Sequence, residues 1–190
     1  MRHVFFKIGL IFLLSGCLVA GEWQIDKKSA RNVTFLSSTT LLDFSGKTRA
    51  IDGYYFTKSD SLLDKRNELY FEVKLAAFDT GISKRDRDMR EDVLHTEKFP
   101  IASFKGQVIE HQNLENGIFV TAEGELALHG HSKKMRITAE LEPRTDEISV
   151  TSKFSVFLKD FAIEAPSLLA FVKVAEEIKI ELNFILKKVE

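Results

Sequence analysis

Few residues in this chain have the chemistry for catalysis or metal binding. His129 and His131 flank Gly130 and suggest a metal at first sight, but no third ligand stands at metal-site spacing. A turn of that composition reads as exposed surface. His95 and His111 stand alone in charged surroundings and read as solvated. Ser, His and Asp all occur, yet no nucleophile-elbow pattern brings them together, so neither catalytic residues nor a hydrolase is expected. The single Cys excludes an internal disulfide and a Cys-based zinc site. Thr80, Arg85 and Asp86 have the chemistry to meet a polar head group. The plainer reading has Asp79-Thr80-Gly81 end a strand and cap a helix, with Arg85 and Asp86 in a salt bridge. Lys84 to Asp88 alternates in sign, as a solvated helix face does. No metal and no cofactor is expected.

Phenylalanine is the more telling residue. The 190-residue chain holds 16 Phe against three Tyr and one Trp. Phe adds apolar surface without a polar handle, so an excess implies a wide core or an apolar cavity. Phe35, Phe71, Val73, Phe104, Val120, Phe154, Leu168 and Phe171 are the cavity candidates, each with apolar neighbours at strand or lid spacing. Filling an ordinary core is the competing role for any one of them. At 29% charged residues and 44% hydrophobic, the chain fits neither disorder nor a multispanning membrane protein. A formal net charge of -1 gives no reason to expect nucleic-acid binding.

Residues 1–20 read as a secretory signal. Arg2 and Lys7 form a positive start, Ile8 to Leu14 is apolar apart from Gly9, and Ser15, Gly16 and Ala20 are small. The apolar run is shorter than the ~17–25 residues of a membrane span. Two cleavage readings stay open. Leu14-Ser15-Gly16-Cys17 resembles a lipobox, in which Cys17 is acylated and anchors the chain to a membrane. Leu18-Val19-Ala20 is a serviceable site that releases the chain at Gly21. Arg2 and Lys7 are the only Lys, Arg, Asp or Glu among the first twenty residues, so losing them takes the formal charge from -1 to -3. Residues 21–190 then form one exported domain, periplasmic if free and membrane-anchored if lipidated.

The elements that must position these residues are strands. Leu69, Phe71, Val73, Leu75 and Ala77 alternate with polar residues, as do Ile118 to Leu128, Met135 to Leu141 and Ile178 to Leu186. A period of two with one apolar face marks antiparallel strands covered on one side. Turns are expected at Ser45-Gly46-Lys47, Asp52-Gly53, Glu115-Asn116-Gly117, His129-Gly130-His131 and Pro143 to Asp146. Eight or nine long strands with short turns predict an all-β, eight-stranded antiparallel barrel, wide enough to be filled or to hold one small ligand. Met89, Val93 and Leu94 predict a short helix over Ser83 to Leu94. Pro166 to Val172 reads as a short helix or loop lidding a barrel end.

In order and spacing, several stretches resemble the YceI-like family, lipocalin-like polyisoprenoid-binding proteins of bacterial envelopes. They are Trp23-Gln24-Ile25-Asp26, Ser29, Val33 and Phe35, then Phe78-Asp79-Thr80-Gly81, Arg85-Asp86, Met89-Arg90, Lys98-Phe99-Pro100 and Phe104. Gly124-Glu125-Leu126, His129-Gly130, Lys133-Lys134, Phe154, Phe161-Ala162-Ile163 and Pro166 continue the match. Val93-Leu94 stands where the commoner family form has a Phe pair, and Phe99 where Tyr is frequent. The resemblance implies an eight-stranded barrel with an elongated apolar cavity for a long-chain lipid, and no catalytic residues. The expected partner is a polyisoprenoid, quinone-like or fatty-acyl lipid, with a homodimer left open. The alternative is a filled barrel serving as an envelope interaction module without a lipid.

Overall fold

The computed structural model describes residues 21–59, 64, 66–169 and 172–189, with the side chains of 167–169 and 172 left out of the description. Cys17 and Phe171 lie outside the described residues, and so does the side chain of Leu168.

Ten of the twelve strand segments among the described residues build one closed antiparallel barrel of eight staves. They are β1 (Gly21–Ile25), β2 (Asn32–Ser38), β3 (Asp43–Thr48), β4 (Ile51–Thr57), β5 (Glu68–Lys74), β6 (Ile101–Leu114), β7 (Gly117–Leu128), β8 (His131–Pro143) and β9 (Glu147–Phe157). A small hairpin of β10 (Ser167–Leu169) and β11 (Val172–Lys173) precedes β12 (Glu177–Lys188). The first four segments form two broken staves: β1 pairs with β4, and β2 with β3. Both β1 and β2 lie against β12, along Leu186 to Lys188 and Lys179 to Asn183 respectively, and the pairing with β1 closes the ring. The remaining staves follow chain order from β4 through β9 to β12.

The glycines of the first two staves serve close approach, where turns were expected. Gly46 lies inside β3, and a Cβ there would sit 2.3 Å from the ring of Phe35. Gly53 lies inside β4 at φ +147°, with the carbonyl of Tyr70 2.2 Å from where a Cβ would stand. The other three expected turns join β6 to β7, β7 to β8 and β8 to β9. The predicted strand through Ala77 stops at Lys74: the Leu75 amide makes a last ladder bond to Pro100 O, proline has no N–H to return, and a tight turn forms over Leu75–Ala77. Pro166 to Val172 is entered by a hairpin strand; the Val174 amide bonds Pro166 O and closes its base.

The expected helix is real but short. Helix α1 (Ser83–Asp88) runs into a wider, π-type turn at Met89–Val93, and together they cover one end of the barrel. At the opposite end Asn67 is buried and replaces ladder bonds at an irregularity in β6: its amide donates to Val108 O at 3.0 Å and its Oδ1 accepts from Val108 N at 2.7 Å. There Trp23, Ile25, Tyr55, Ile148, Phe184 and Leu186 interlock across β1, β4, β9 and β12, with Trp23, Ile148 and Phe184 each only 1% exposed.

Candidate functional site

The inward faces of the staves enclose a cavity of about 520 Å³. That falls in the range of ligand pockets, roughly 300–1,000 Å³. Strand alternation explains the wall: Leu69, Phe71 and Val73 from β5, Val120, Ala122, Leu126 and Leu128 from β7, and Ile178 through Leu186 at every second position of β12 all face inward. Six of the expected residues, Phe35, Phe71, Val73, Phe104, Val120 and Phe154, stand on this wall. Phe35, Phe71, Val73 and Phe154 point inward yet are only half-buried, which marks a hollow next to them. In the filled end, inward residues lose nearly all exposure.

The polar groups on the wall are few and unevenly placed. Ser37, Ser103 and Ser152 contribute hydroxyls, and the charged lining residues among those described are Lys84, Arg85 and Asp88, all on α1. Ile82, just before α1, also lines the cavity and is 53% exposed, so the mouth lies on this side. Lys84 pairs with Asp88 at 2.5 Å. Tyr55 supplies a phenol near the floor, and burial pushes its pKa up to about 12, so it stays neutral.

Thr80, Arg85 and Asp86 meet at the mouth. Arg85 and Asp86 do not pair with each other as the plainer reading expected; both grip Thr80. The Thr80 hydroxyl and amide donate to Asp86 Oδ1 at 2.6 and 2.9 Å, while Arg85 donates to the Thr80 hydroxyl and carbonyl, both at 2.8 Å. The bonds from Thr80 hold the Asp86 carboxyl below its ordinary value, against the opposing effect of burial. Thr80 does not cap α1 directly; Asp86 reaches back to it from within the helix. The Arg85 guanidinium lies 4.9 Å over the Phe44 ring, and Phe44 and Phe78 flank Phe35 at 6.2 and 5.3 Å.

Sequence reasoning missed Phe44, Phe78, Tyr55 and the β12 face as cavity wall. The alternation of Ile178 to Leu186 carried that last signal. It also missed Ser37, whose buried hydroxyl has no hydrogen-bond partner among the described residues. His95 is not isolated: its Nδ1 lies 3.0 Å from His129 Nε2, across 34 positions of chain.

A closed eight-stranded antiparallel barrel with a hollow, apolar interior defines a lipocalin-like protein. Residues 23–186 match the model of the YceI-like domain, and the chain belongs to that family. Its fold is similar to that of BcnA from Burkholderia cenocepacia: TM-score 0.69, 13% identity, 85% of this chain and 98% of that one covered. A polyisoprenoid binding domain from Saccharophagus degradans gives TM-score 0.68 at 14% identity, covering 88% and 98%. The YceI protein of Campylobacter jejuni gives 0.51 at 17% identity, covering 73% and 83%. No curated protein matches the chain.

Proposed function

We propose that this protein binds and carries or sequesters a long-chain amphiphilic lipid, of polyisoprenoid, quinone-like or fatty-acyl type, without making or breaking a bond. The observation that carries the reading is the asymmetry of the cavity: a carbon-lined hollow whose charged lining residues, among those described, are confined to α1. The likeness to a polyisoprenoid binding domain supports the same ligand class. About ten buried carbons contribute roughly 8 kcal/mol at ~0.8 kcal/mol each, before ordering costs. The tail lies along Phe71, Val73, Phe104, Val120 and Phe154. The polar end stays at the rim, within reach of Lys84, Arg85 and the unpartnered Ser37. The Pro166 to Val172 segment, with Leu168 and Phe171, and the Ser83 to Leu94 cover control entry. The hollow counts against the filled-barrel reading.

The protein acts in the periplasm after export, free from Gly21 or anchored through acylated Cys17. β1 starts at Gly21 beside Thr57, at the end away from α1, so an anchor on Cys17 tethers the closed end of the barrel. Native mass spectrometry of protein taken from the envelope tests the reading. A lipid-sized adduct that dissociates on activation is expected, and the chain mass reports acylation of Cys17. A chain that carries no adduct and takes up no added long-chain lipid contradicts it.

A further inference from the structure

Two imidazoles tie three elements of the mouth together. His95 follows the α1 cover directly after Leu94, His129 sits in the turn between β7 and β8, and Phe161 ends a short turn at Leu158–Phe161. His95 Nδ1 lies 3.0 Å from His129 Nε2, and His129 Nδ1 lies 3.3 Å from the Phe161 carbonyl oxygen. The two rings stack at 5.3 Å, and Phe99 meets His129 edge-on at 4.6 Å. Both histidines hold a positive φ, 45° and 52°. Residues other than glycine visit that region sparingly.

The carbonyl decides the proton arrangement. It can only accept, so His129 carries its proton on Nδ1 and its Nε2 accepts from His95 Nδ1–H. A first added proton goes to the free Nε2 of His95 and leaves the bond intact. A second must go to His129 Nε2, where it sets two N–H donors against each other at 3.0 Å.

The charged neighbours do not offset that conflict. On the cover they are Arg90, Glu91 and Asp92; on the following loop, Glu97 and Lys98; across the turn, His131; on β8, Lys133; and on the short turn, Lys159 and Asp160. Lys133 pairs with Asp160, Arg90 donates to Phe78 O, and Lys98 and Lys159 lie over the rings of Phe99 and Phe157. Among the described residues no carboxylate bonds either imidazole.

We propose that the His95–His129 pair is a proton-operated latch on the cavity mouth, closed with up to one added proton and opened by the second. The latch rests on the lipid-carrier reading, since Met89, Val93 and Leu94 of the segment it holds line the cavity. Opening lets that segment swing from the β7–β8 turn and exposes the tail of the cargo. Histidine is the side chain whose charge changes between about pH 8 and 5, so acid is the signal.

Hydrogen exchange on the purified protein, corrected for intrinsic rates, tests the latch at the amides of Leu94, Thr96, Lys98 and Phe99, all bonded within this segment. Dissociation of the apolar fluorophore N-phenylnaphthylamine is followed in parallel. Between about pH 7.5 and about pH 5.5, exchange and probe release each rise about tenfold. In His95→Asn and His129→Asn, chosen because Asn tolerates positive φ, the change stays under about twofold. His131→Asn keeps the full response. A flat wild-type profile overturns the latch whether or not a variant folds, and an undiminished response in both Asn variants does the same. If exchange responds but the probe binds at no pH, the lipid reading fails and the latch stands. If the probe binds and exchange is flat, the lipid reading stands and the latch fails.

Discussion

The two ends of the barrel use the same alternation of apolar residues to opposite ends. At the N-terminal end Trp23, Ile25, Ile148, Phe184 and Leu186 interlock until almost no surface remains. Toward α1, Phe35, Phe71, Val73 and Phe154 face inward from equivalent strand positions and stay half-buried around a hollow. Closure differs as well. The first end is sealed by side chains and by Asn67 bonded into β6, whereas the second is covered by a short helix held through Thr80 and through a histidine pair. One end is closed by packing and the other by a few polar contacts.

Truncation separates the ends most strongly. Trp23→Ala removes a side chain that is packed all round and is expected to cost about 4 kcal/mol in urea unfolding. A loss below about 2 kcal/mol would mean that this end is not the packed core. Asn67→Ala orphans the Val108 amide and carbonyl and is expected to cost about 2 kcal/mol, with faster hydrogen exchange confined to β6 near Val108. Phe71→Ala, on the hollow wall, is expected to cost only about 1.5 kcal/mol, because part of its surface already faces the cavity. Equal costs for Trp23 and Phe71 would erase the distinction between the ends.

The smallest effect is electrostatic. The Asp86 carboxyl is held below its ordinary 3.8 by Thr80, so its bonds stabilise the fold above about pH 4 and lose that effect as pH falls through the lowered value. The stability gap between wild type and Asp86→Asn is therefore steady at neutral pH and closes in acid. A gap that widens in acid contradicts the assignment.

Strand alternation made the staves β5, β7, β8 and β12 legible, because a period of two with one buried face needs no knowledge of distant partners. Gly46 and Gly53 were misread as turns: glycine signals a turn locally, but here it clears space for Phe35 and for the Tyr70 backbone, which only the folded barrel brings near. Six Phe and Val positions of the wall could be named from spacing, yet which end was hollow depended on how side chains fill the ring. Ser37 and the His95–His129 pair left no signal, since an orphaned hydroxyl and a bond across 34 positions arise from tertiary packing alone.

The central claim is that the hollow end holds a lipid tail. Ala122 lies on the cavity wall toward its floor, between Val108 and Ile137 on the neighbouring staves, and Ala122→Trp fills the cavity with an indole. Native mass spectrometry of wild type and variant, each loaded with the same long-chain lipid, decides the matter. The account predicts one bound lipid in the wild type and none in a variant that still unfolds cooperatively. Equal lipid occupancy in both proteins would contradict it.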